Sequence, residues 1–119
     1  MPTFTKADRL LTPGDFKRVY ERKCSVSNAW LIVYGWKNEL GHARLGLSVS
    51  RKVGNAVARN RCKRLLREAF RLSREGLPAN LDLIVIPRSA RLPDLPGLHE
   101  TFIALAADVV RRLARREDR

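Results

Sequence analysis

The chain of 119 residues lacks several features that would assign it to common protein classes. Its two cysteines, Cys24 and Cys62, show no CxxC spacing and have no cluster of histidines nearby, which predicts reduced thiols and argues against a zinc site. Residues 1–10 are polar and do not contain the apolar segment of a signal peptide. The longest apolar stretches, 29–36 and 81–87, are too short to span a bilayer. These absences predict a cytoplasmic protein that has no membrane partner.

Acidic residues are also scarce, because 12 Asp and Glu stand against 24 Lys and Arg, for a net charge of +12. A chain this basic indicates a polyanionic partner, and it argues against an enzyme that acts alone on small neutral or cationic metabolites. Apolar residues make up 45% of the sequence, which is enough for a folded core. At this length the core belongs to a single domain that spans residues 1–119.

Most of the positive charge lies in one segment. Residues 51–74 contain nine basic side chains and one acidic side chain, whereas 1–50 contain eight and four and 75–119 contain seven of each. A solvated helix face usually mixes charges of both signs, because pairs four residues apart support the helix. A segment of one sign therefore indicates a surface that binds an anionic partner.

The first half of the chain predicts one helix and two strands. Thr12 followed by Pro13 is typical of a helix N-terminus and predicts a short helix that ends near Arg22. Aromatic and β-branched residues predict a strand at 30–36, and alternation of apolar with small or polar residues predicts another at 44–50. The turn residues between the two strands favour an antiparallel hairpin.

The second half predicts a helix, a strand and a final helix. Asn55 is the expected N-cap of a long basic helix at 56–74. An apolar run predicts a buried strand at 81–86, in which Asp82 is interpreted as a strand-end cap in preference to a cation ligand. A helical spacing of apolar residues begins at Leu98. The order α-β-β-α-β-α predicts an α+β sandwich in which helices cover one small sheet.

At 100° per residue the basic helix separates into an apolar stripe and a cationic face. The predicted core stripe comprises Ala58, Cys62, Leu65, Leu66, Ala69 and Leu72. The opposite face comprises Asn60, Lys63, Arg64, Arg67, Arg71 and Arg74, with Arg59 and Arg61 at its borders. Guanidinium groups match phosphate oxygens, so this face suits a nucleic acid. Binding to a membrane surface is disfavoured because the sheet needs the apolar stripe as its cover.

The segment that leads into this helix carries a long motif. It reads Gly-Leu-Ser-Val-Ser-Arg-Lys-Val-Gly-Asn-Ala-Val over 46–57, followed by Arg-Asn-Arg-Cys-Lys-Arg-Leu-Leu-Arg-Glu over 59–68. This motif closely resembles the signature of the bacterial ribonuclease P protein component. The resemblance extends to parts of the first helix, to the strand around Tyr34 and to 82–88, but not clearly to the C-terminal end.

The resemblance implies an α-β sandwich with a left-handed β-α-β crossover through the basic helix, which departs from the usual right-handed rule. It also implies that the protein binds a catalytic RNA, the ribonuclease P RNA, which uses magnesium ions in its own active site to remove the 5′ leader of precursor tRNA. The expected enzyme is therefore an endoribonuclease in ribonucleoprotein form. Its protein subunit is expected to bind no cofactor, metal or small-molecule substrate.

Two sets of binding residues follow from the resemblance, position by position. Contacts to the RNA subunit are implied for Arg51, Lys52, Asn55, Arg59, Asn60, Arg61, Lys63, Arg64 and Arg67, and Arg71 joins them on the same face. A cleft for the single-stranded leader is implied for Phe16, Tyr20, Ile32, Tyr34 and Arg88. Pro87 stands where the family often has Ala, and it removes a backbone donor beside Arg88.

An aromatic cleft is chemically suited to a leader that differs in sequence between precursors, because stacking on aromatic rings does not depend on base identity. The alternative for Phe16 and Tyr20 is that they only pack the first helix onto the core. For Trp30 and Trp36, packing in the core is the favoured interpretation.

No set of side chains predicts catalysis by the protein itself. His42 and His99 are isolated, the acidic residues are scattered, and neither Ser48 nor Ser50 has an adjacent base. The predicted contributions of the protein are binding, positioning and charge neutralisation.

Two alternatives compete with the ribonuclease P interpretation. One is a ribosomal or RNA-chaperone type of RNA-binding protein without an enzymatic assembly, which a basic helix alone does not exclude. The other is a DNA-binding regulator that inserts the basic helix into a major groove. That arrangement needs a second short helix before the recognition helix, and the segment before Asn55 predicts a strand instead.

Overall fold

The structure, a computed structural model, describes residues 4–117. Over this range the chain forms three α-helices and four strands in the order α-β-β-β-α-β-α. The helices are α1 (Pro13–Glu21), α2 (Ala56–Ser73) and α3 (Leu95–Glu117), and the strands are β1 (Ser25–Ser27), β2 (Leu31–Lys37), β3 (Arg44–Leu47) and β4 (Leu81–Pro87). Short 3-10 turns cover Lys6–Asp8, Arg51–Val53 and Arg74–Gly76. The predicted α+β class, one small sheet packed with helices, is confirmed.

The sheet has the strand order β1-β2-β4-β3, so the predicted hairpin between β2 and β3 is wrong. Strand β4 lies between them, antiparallel to β2 with Tyr34 opposite Ile84 and parallel to β3 with Leu45 opposite Leu83. The apolar run of β4 is buried on both faces, which suits a central strand. Because β3 and β4 are parallel neighbours, α2 forms the crossover between them. Its left-handedness stays a prediction of the resemblance.

Strand β1 was not predicted. It has only three residues, of which Val26 alone is apolar, and a segment this short gives no periodic signal. It pairs antiparallel with the outer edge of β2, with Ser25 opposite Tyr34 and Ser27 opposite Ile32. Its formation depends on β2 and on the burial of Val26 in the main core.

The two faces of the sheet have different covers. Leu31 and Val33 of β2 point into the main core with side chains of α2 and α3. The alternate residues Ile32 and Tyr34 are half-buried on the opposite face, where α1 and the segment before it pack. This second face therefore keeps part of its apolar surface accessible. Within residues 4–117, none of the helices is both long enough and apolar enough to cross a membrane.

The buried stripe of α2 is rotated from its predicted position. Leu72, predicted in the core, is 48% exposed, whereas Phe70 is fully buried. The reason is that α2 packs against α3 as well as against the sheet, so its stripe turns towards Ser73. The Ser73 hydroxyl lies 2.9 Å from Nδ1 of His99 on α3, and the Phe70 ring meets Phe4 edge-on with centroids 5.7 Å apart.

Both predicted N-caps that precede α1 and α2 are confirmed. Thr12 Oγ1 accepts a hydrogen bond of 3.1 Å from the Asp15 amide, and Asn55 Oδ1 accepts one of 3.0 Å from the Ala58 amide. Gly54 precedes Asn55 with a φ of 143°, a conformation that favours glycine. The basic helix therefore begins at a point that its own sequence determines.

Helix α3 begins at Leu95, one turn before the predicted start at Leu98. Asp94 Oδ1 accepts a hydrogen bond of 3.0 Å from the Gly97 amide, which caps this extra turn. Pro96 fits there because amides of the first turn have no partner inside the helix.

Candidate nucleic-acid interface

The residues assigned to the RNA subunit lie on α2, at its N-cap and in the 3-10 turn before it, and they show two levels of exposure. Six of them are exposed: Arg51, Lys52, Asn55, Asn60, Arg61 and Arg64. Four are half-buried: Arg59, Lys63, Arg67 and Arg71. Because the opposite side of α2 is locked into the core, the exposed guanidinium groups are presented from a rigid support.

Arg71 differs from the other members of this set. Its Nε donates a hydrogen bond of 3.1 Å to the Glu68 carboxylate, and a further Arg71–Glu68 contact completes a bidentate pair. The hydrogen bond from Arg71 lowers the pKa of Glu68. The charge of Arg71 is therefore already matched within the helix.

Lys63 and Arg67 point towards the first helix and join the two predicted sets of residues. They line a cavity of about 210 Å³ together with Phe16 and Arg9, a residue that the sequence did not single out. Burial, together with the positive charges of Arg9 and Arg64, lowers the pKa of Arg67. Positive charge is thus concentrated at the β3 edge of the sheet, immediately beside the aromatic face.

The aromatic residues assigned to the leader cleft lie together. The rings of Tyr20 and Tyr34 meet edge-on with centroids 4.9 Å apart, and Phe16 lies 6.4 Å from Tyr20. Ile32 lies two residues before Tyr34 on the same face of β2, and all four side chains are half-buried. The three rings therefore pack α1 onto the sheet and also leave ring surface open, so the packing role and an accessible cleft coexist.

The two tryptophans behave differently from each other. Trp36 is half-buried against the core, as predicted, with the Arg22 guanidinium 4.7 Å from its ring centroid. Trp30 is 41% exposed, so its predicted place in the core is wrong. It belongs to a turn before β2 in which Asn28 Oδ1 accepts a hydrogen bond of 2.9 Å from the Trp30 amide. The turn directs this residue away from the sheet.

Arg88 lies at the end of the aromatic face despite the preceding proline. Pro87 is the last residue of β4, where a missing donor does not interrupt the ladder. The Arg88 amide donates a hydrogen bond of 2.9 Å to the carbonyl of Trp30, which fixes the chain at this point. The Arg88 side chain is exposed and lines a groove together with Ile32.

Asp82 is a buried ion-pair centre, and its interpretation as a strand-end cap is wrong. Its fully buried carboxylate accepts hydrogen bonds of 2.9 and 2.8 Å from Arg44, one of 2.6 Å from Arg18 and one of 2.8 Å from Asn38. Burial opposes ionisation, but these donors hold the pKa of Asp82 below its ordinary value. The pair with Arg18 ties α1, one wall of the cleft, to the centre of the sheet.

Asp8 and Asp15 are also committed to structural contacts. Asp8 pairs with Arg74 at 2.9 Å, and Asp15 closes the capping box of α1. Across residues 4–117, no three His, Cys, Asp or Glu side chains are grouped in a way that could hold a metal ion. What this part of the chain offers an anionic partner is therefore positive charge and aromatic surface.

A small sheet with an open aromatic face beside a rigid cationic helix defines a compact nucleic-acid-binding protein of the α+β class. A family model described as Ribonuclease P matches residues 4–110. The chain belongs to the ribonuclease P protein family, whose role is the 5′ processing of tRNA together with an RNA subunit.

Relatives and solved structures agree with this assignment. A ribonuclease P protein component of Staphylococcus haemolyticus is 47% identical over 83 residues, which cover 70% of this chain and 72% of the relative. One from Methylococcus capsulatus is 45% identical over 87 residues, covering 72% and 67%. The structure of the RNase P protein from Thermotoga maritima has a TM-score of 0.74 at 31% identity and covers 83% of this chain and 96% of its own. That from Staphylococcus aureus has a TM-score of 0.66 at 36% identity, covering 91% and 96%.

Proposed function

We propose that the protein binds the RNA subunit of ribonuclease P through the exposed face of α2 and the 3-10 turn before it. The observation that supports this surface is the exposure of Arg61 and Arg64 on a helix whose other side is buried. Arg51 and Lys52 extend the same charge to the N-terminal end of the helix, where free amides and the helix dipole favour phosphate.

The second part of the proposal is that the open face of the sheet holds the 5′ leader of precursor tRNA. The single observation that carries it is the contact between the rings of Tyr20 and Tyr34, both of which are half-buried and so keep part of their surface accessible. Bases of any identity stack on such rings, and Lys63 and Arg67 beside Phe16 supply charge for the adjacent phosphates. A leader without fixed sequence is suited to a site of this kind.

The third part concerns the chemistry. We assign the catalytic step, and the magnesium ions that it uses, to the RNA subunit. The support for this is that the carboxylates of Asp8, Asp15 and Asp82 are already engaged by arginines or by a helix cap. The protein then acts by binding substrate and by offsetting phosphate repulsion.

Reconstitution with ribonuclease P RNA tests the function as a whole. Because the cations of α2 offset repulsion between phosphates, the protein is expected to lower the magnesium concentration that cleavage of precursor tRNA requires. A mixture that needs as much magnesium as the RNA alone would contradict the proposal.

Tyr34→Ala tests the cleft. The variant holoenzyme should assemble normally and bind precursor tRNA more weakly by about 1–3 kcal/mol, the value of one lost stack, while its affinity for mature tRNA stays unchanged. Tyr34→Phe is the matched control, because it keeps the ring and should bind precursor as the wild type does. Thermal unfolding must be measured in parallel, since the Tyr34 ring also contacts Tyr20. Equal losses for precursor and mature tRNA in a folded variant would remove the cleft from the mechanism.

A further inference from the structure

A second cationic surface lies at the β1 edge of the sheet, away from α2. It is a groove of about 520 Å³ between β1 and the C-terminal half of α3. Arg111, Arg112 and Arg115 line it from α3, and Arg88 lines it from the end of β4. On α3 these residues recur at helical spacing, so they form a single stripe that faces the strand.

The positive charge of this groove is only partly matched. Arg111 pairs with Asp108, the one acidic residue in the lining. Within the part of the chain that the structure describes, no carboxylate pairs with Arg88, Arg112 or Arg115. A single-sign cluster of exposed guanidinium groups is unfavourable for the free protein unless an anion uses it.

The strand that forms the other wall contributes hydrogen-bonding groups. Ser25 and Ser27 lie opposite Tyr34 and Ile32 in the antiparallel register, so their side chains continue the aromatic face outward. The amide of Gly35 donates to the carbonyl of Cys24, so these two residues, one in β2 and one just before β1, form a hydrogen-bonded pair. Along an antiparallel strand such pairs occur at every second residue. By that alternation the backbone groups of Ser25 and Ser27 are directed to the outer edge of the sheet.

The helix wall is fixed in place over β1. Arg116 donates a hydrogen bond of 2.8 Å to the carbonyl of Lys23 and a second one to the carbonyl of Arg22. These bonds tie the end of α3 to the loop that leads into β1. The groove is therefore a formed feature of the fold, with both walls held relative to each other.

The groove is continuous with the proposed leader cleft. Ile32 belongs to both, and Arg88 lies at the boundary between them. The aromatic face thus ends in cations at each edge: Lys63 and Arg67 beside β3, and the α3 arginines beside β1. A single strand that crosses the face would meet positive charge at both ends.

We propose that this groove binds phosphates of the distal part of the 5′ leader, the nucleotides that extend past the β1 edge of the cleft. The inference rests on the proposed leader binding and adds a length dependence to it. Arginine predominates over lysine in the groove, which suits phosphate oxygens. Exposed Ser27 and half-buried Ser25 add donors that do not depend on base identity.

The test compares precursor tRNAs with a leader of about four and about twelve nucleotides on the reconstituted holoenzyme. In the wild type the longer leader should bind more tightly. In the double variant Arg112→Gln/Arg115→Gln this advantage should fall by roughly tenfold, since two exposed phosphate contacts are lost. The salt slope for the longer leader should become shallower by about 1.4, at about 0.7 per single-strand phosphate.

Two control variants make the result specific. Lys6→Gln/Lys17→Gln removes the same charge from exposed positions outside both surfaces and should leave the length advantage intact. Arg112→Lys/Arg115→Lys keeps the charge and should restore most of it. A double glutamine variant that keeps the full length advantage overturns the groove, whatever the cleft does. Failure of the cleft itself would be separate: Tyr34→Ala would then bind the short-leader precursor as tightly as the wild type does.

Discussion

Substitution of Asp82 by Asn is the sharpest perturbation of this fold, because one carboxylate connects four elements of the chain. It accepts from Arg18 on α1, from Arg44 on β3 and from Asn38 in the loop between β2 and β3, while lying in β4 itself. Asparagine has the same shape but directs an amide donor at one of these donors. The variant therefore loses charge-assisted hydrogen bonds and leaves guanidinium groups without their counter-ion.

The magnitude follows from the exposure of the partners. Breaking a buried ion pair by removing one partner costs about 3–5 kcal/mol of stability. The Arg44 side chain is 16% exposed and cannot be well solvated, whereas Arg18 is 41% exposed and recovers part of its hydration. We expect a loss near the lower end of that range, about 3 kcal/mol. For a domain of this size it corresponds to a fall in Tm of roughly 10 °C.

The pH dependence of stability provides a second, independent test of the role of Asp82. The pKa of Asp82 is lower in the folded state than its ordinary value, so the unfolded state binds the proton more readily. The stabilisation is present above the ordinary pKa of aspartate and is lost as the pH falls through the folded pKa. The difference in stability between wild type and Asp82→Asn should therefore be large at neutral pH and shrink under acid conditions.

Urea unfolding at several pH values measures both effects, with Glu39→Gln as the matched control. Glu39 is exposed in the same region and its substitution also removes one negative charge. A loss of Arg18 contact should also loosen α1 and weaken binding of precursor tRNA more than binding of mature tRNA. If Asp82→Asn unfolds within about 1 kcal/mol of the control at neutral pH, the ion-pair centre does not stabilise the fold as argued.

Three further predictions concern the salt dependence of RNA binding, the two faces of α2 and the packing of Phe16 in the wall of the cleft. If about six to eight cations displace counterions, affinity for the RNA subunit should fall with a log–log salt slope of about −4 to −7, and a slope shallower than about −2 would exclude α2 as the RNA surface. Arg61→Ala should weaken assembly with the RNA subunit by about 1.5–3 kcal/mol without altering unfolding. Leu66→Ala should cost about 2–5 kcal/mol of stability, because that side chain is fully buried. Similar unfolding of the two variants would refute the assignment of the exposed and buried faces of α2. In Gly46→Ala the new Cβ would lie 2.9 Å from Phe16 Cζ, which should cost about 1–3 kcal/mol and displace the ring. In Gly14→Ala the new Cβ would lie 3.7 Å from Thr12 Oγ1, an ordinary contact, so this variant should be tolerated. Precursor binding and urea unfolding check both variants.

Features that depend on neighbouring residues could be predicted from the amino-acid sequence alone. The caps Thr12 and Asn55 set the starts of α1 and α2, because a cap needs only neighbours within a few residues. The long motif around Arg59 to Arg61 identified the family, and the charge count identified the segment that carries it. The same-face placement of Ile32 and Tyr34 followed from the two-residue period of a strand.

The tertiary structure decided which of these elements meet. Alternation in β2 and β3 is satisfied by any neighbouring strand, so only the complete sheet could place β4 between them. The partners of Asp82 come from positions 18, 38 and 44, and no local pattern links them. Packing against α3 turned Phe70 inward, and the arginines of α3 acquired a role only when the fold brought them beside β1. Caps and periods depend on interactions within a few residues, whereas strand neighbours, buried ion pairs and grooves depend on contacts between distant parts of the chain.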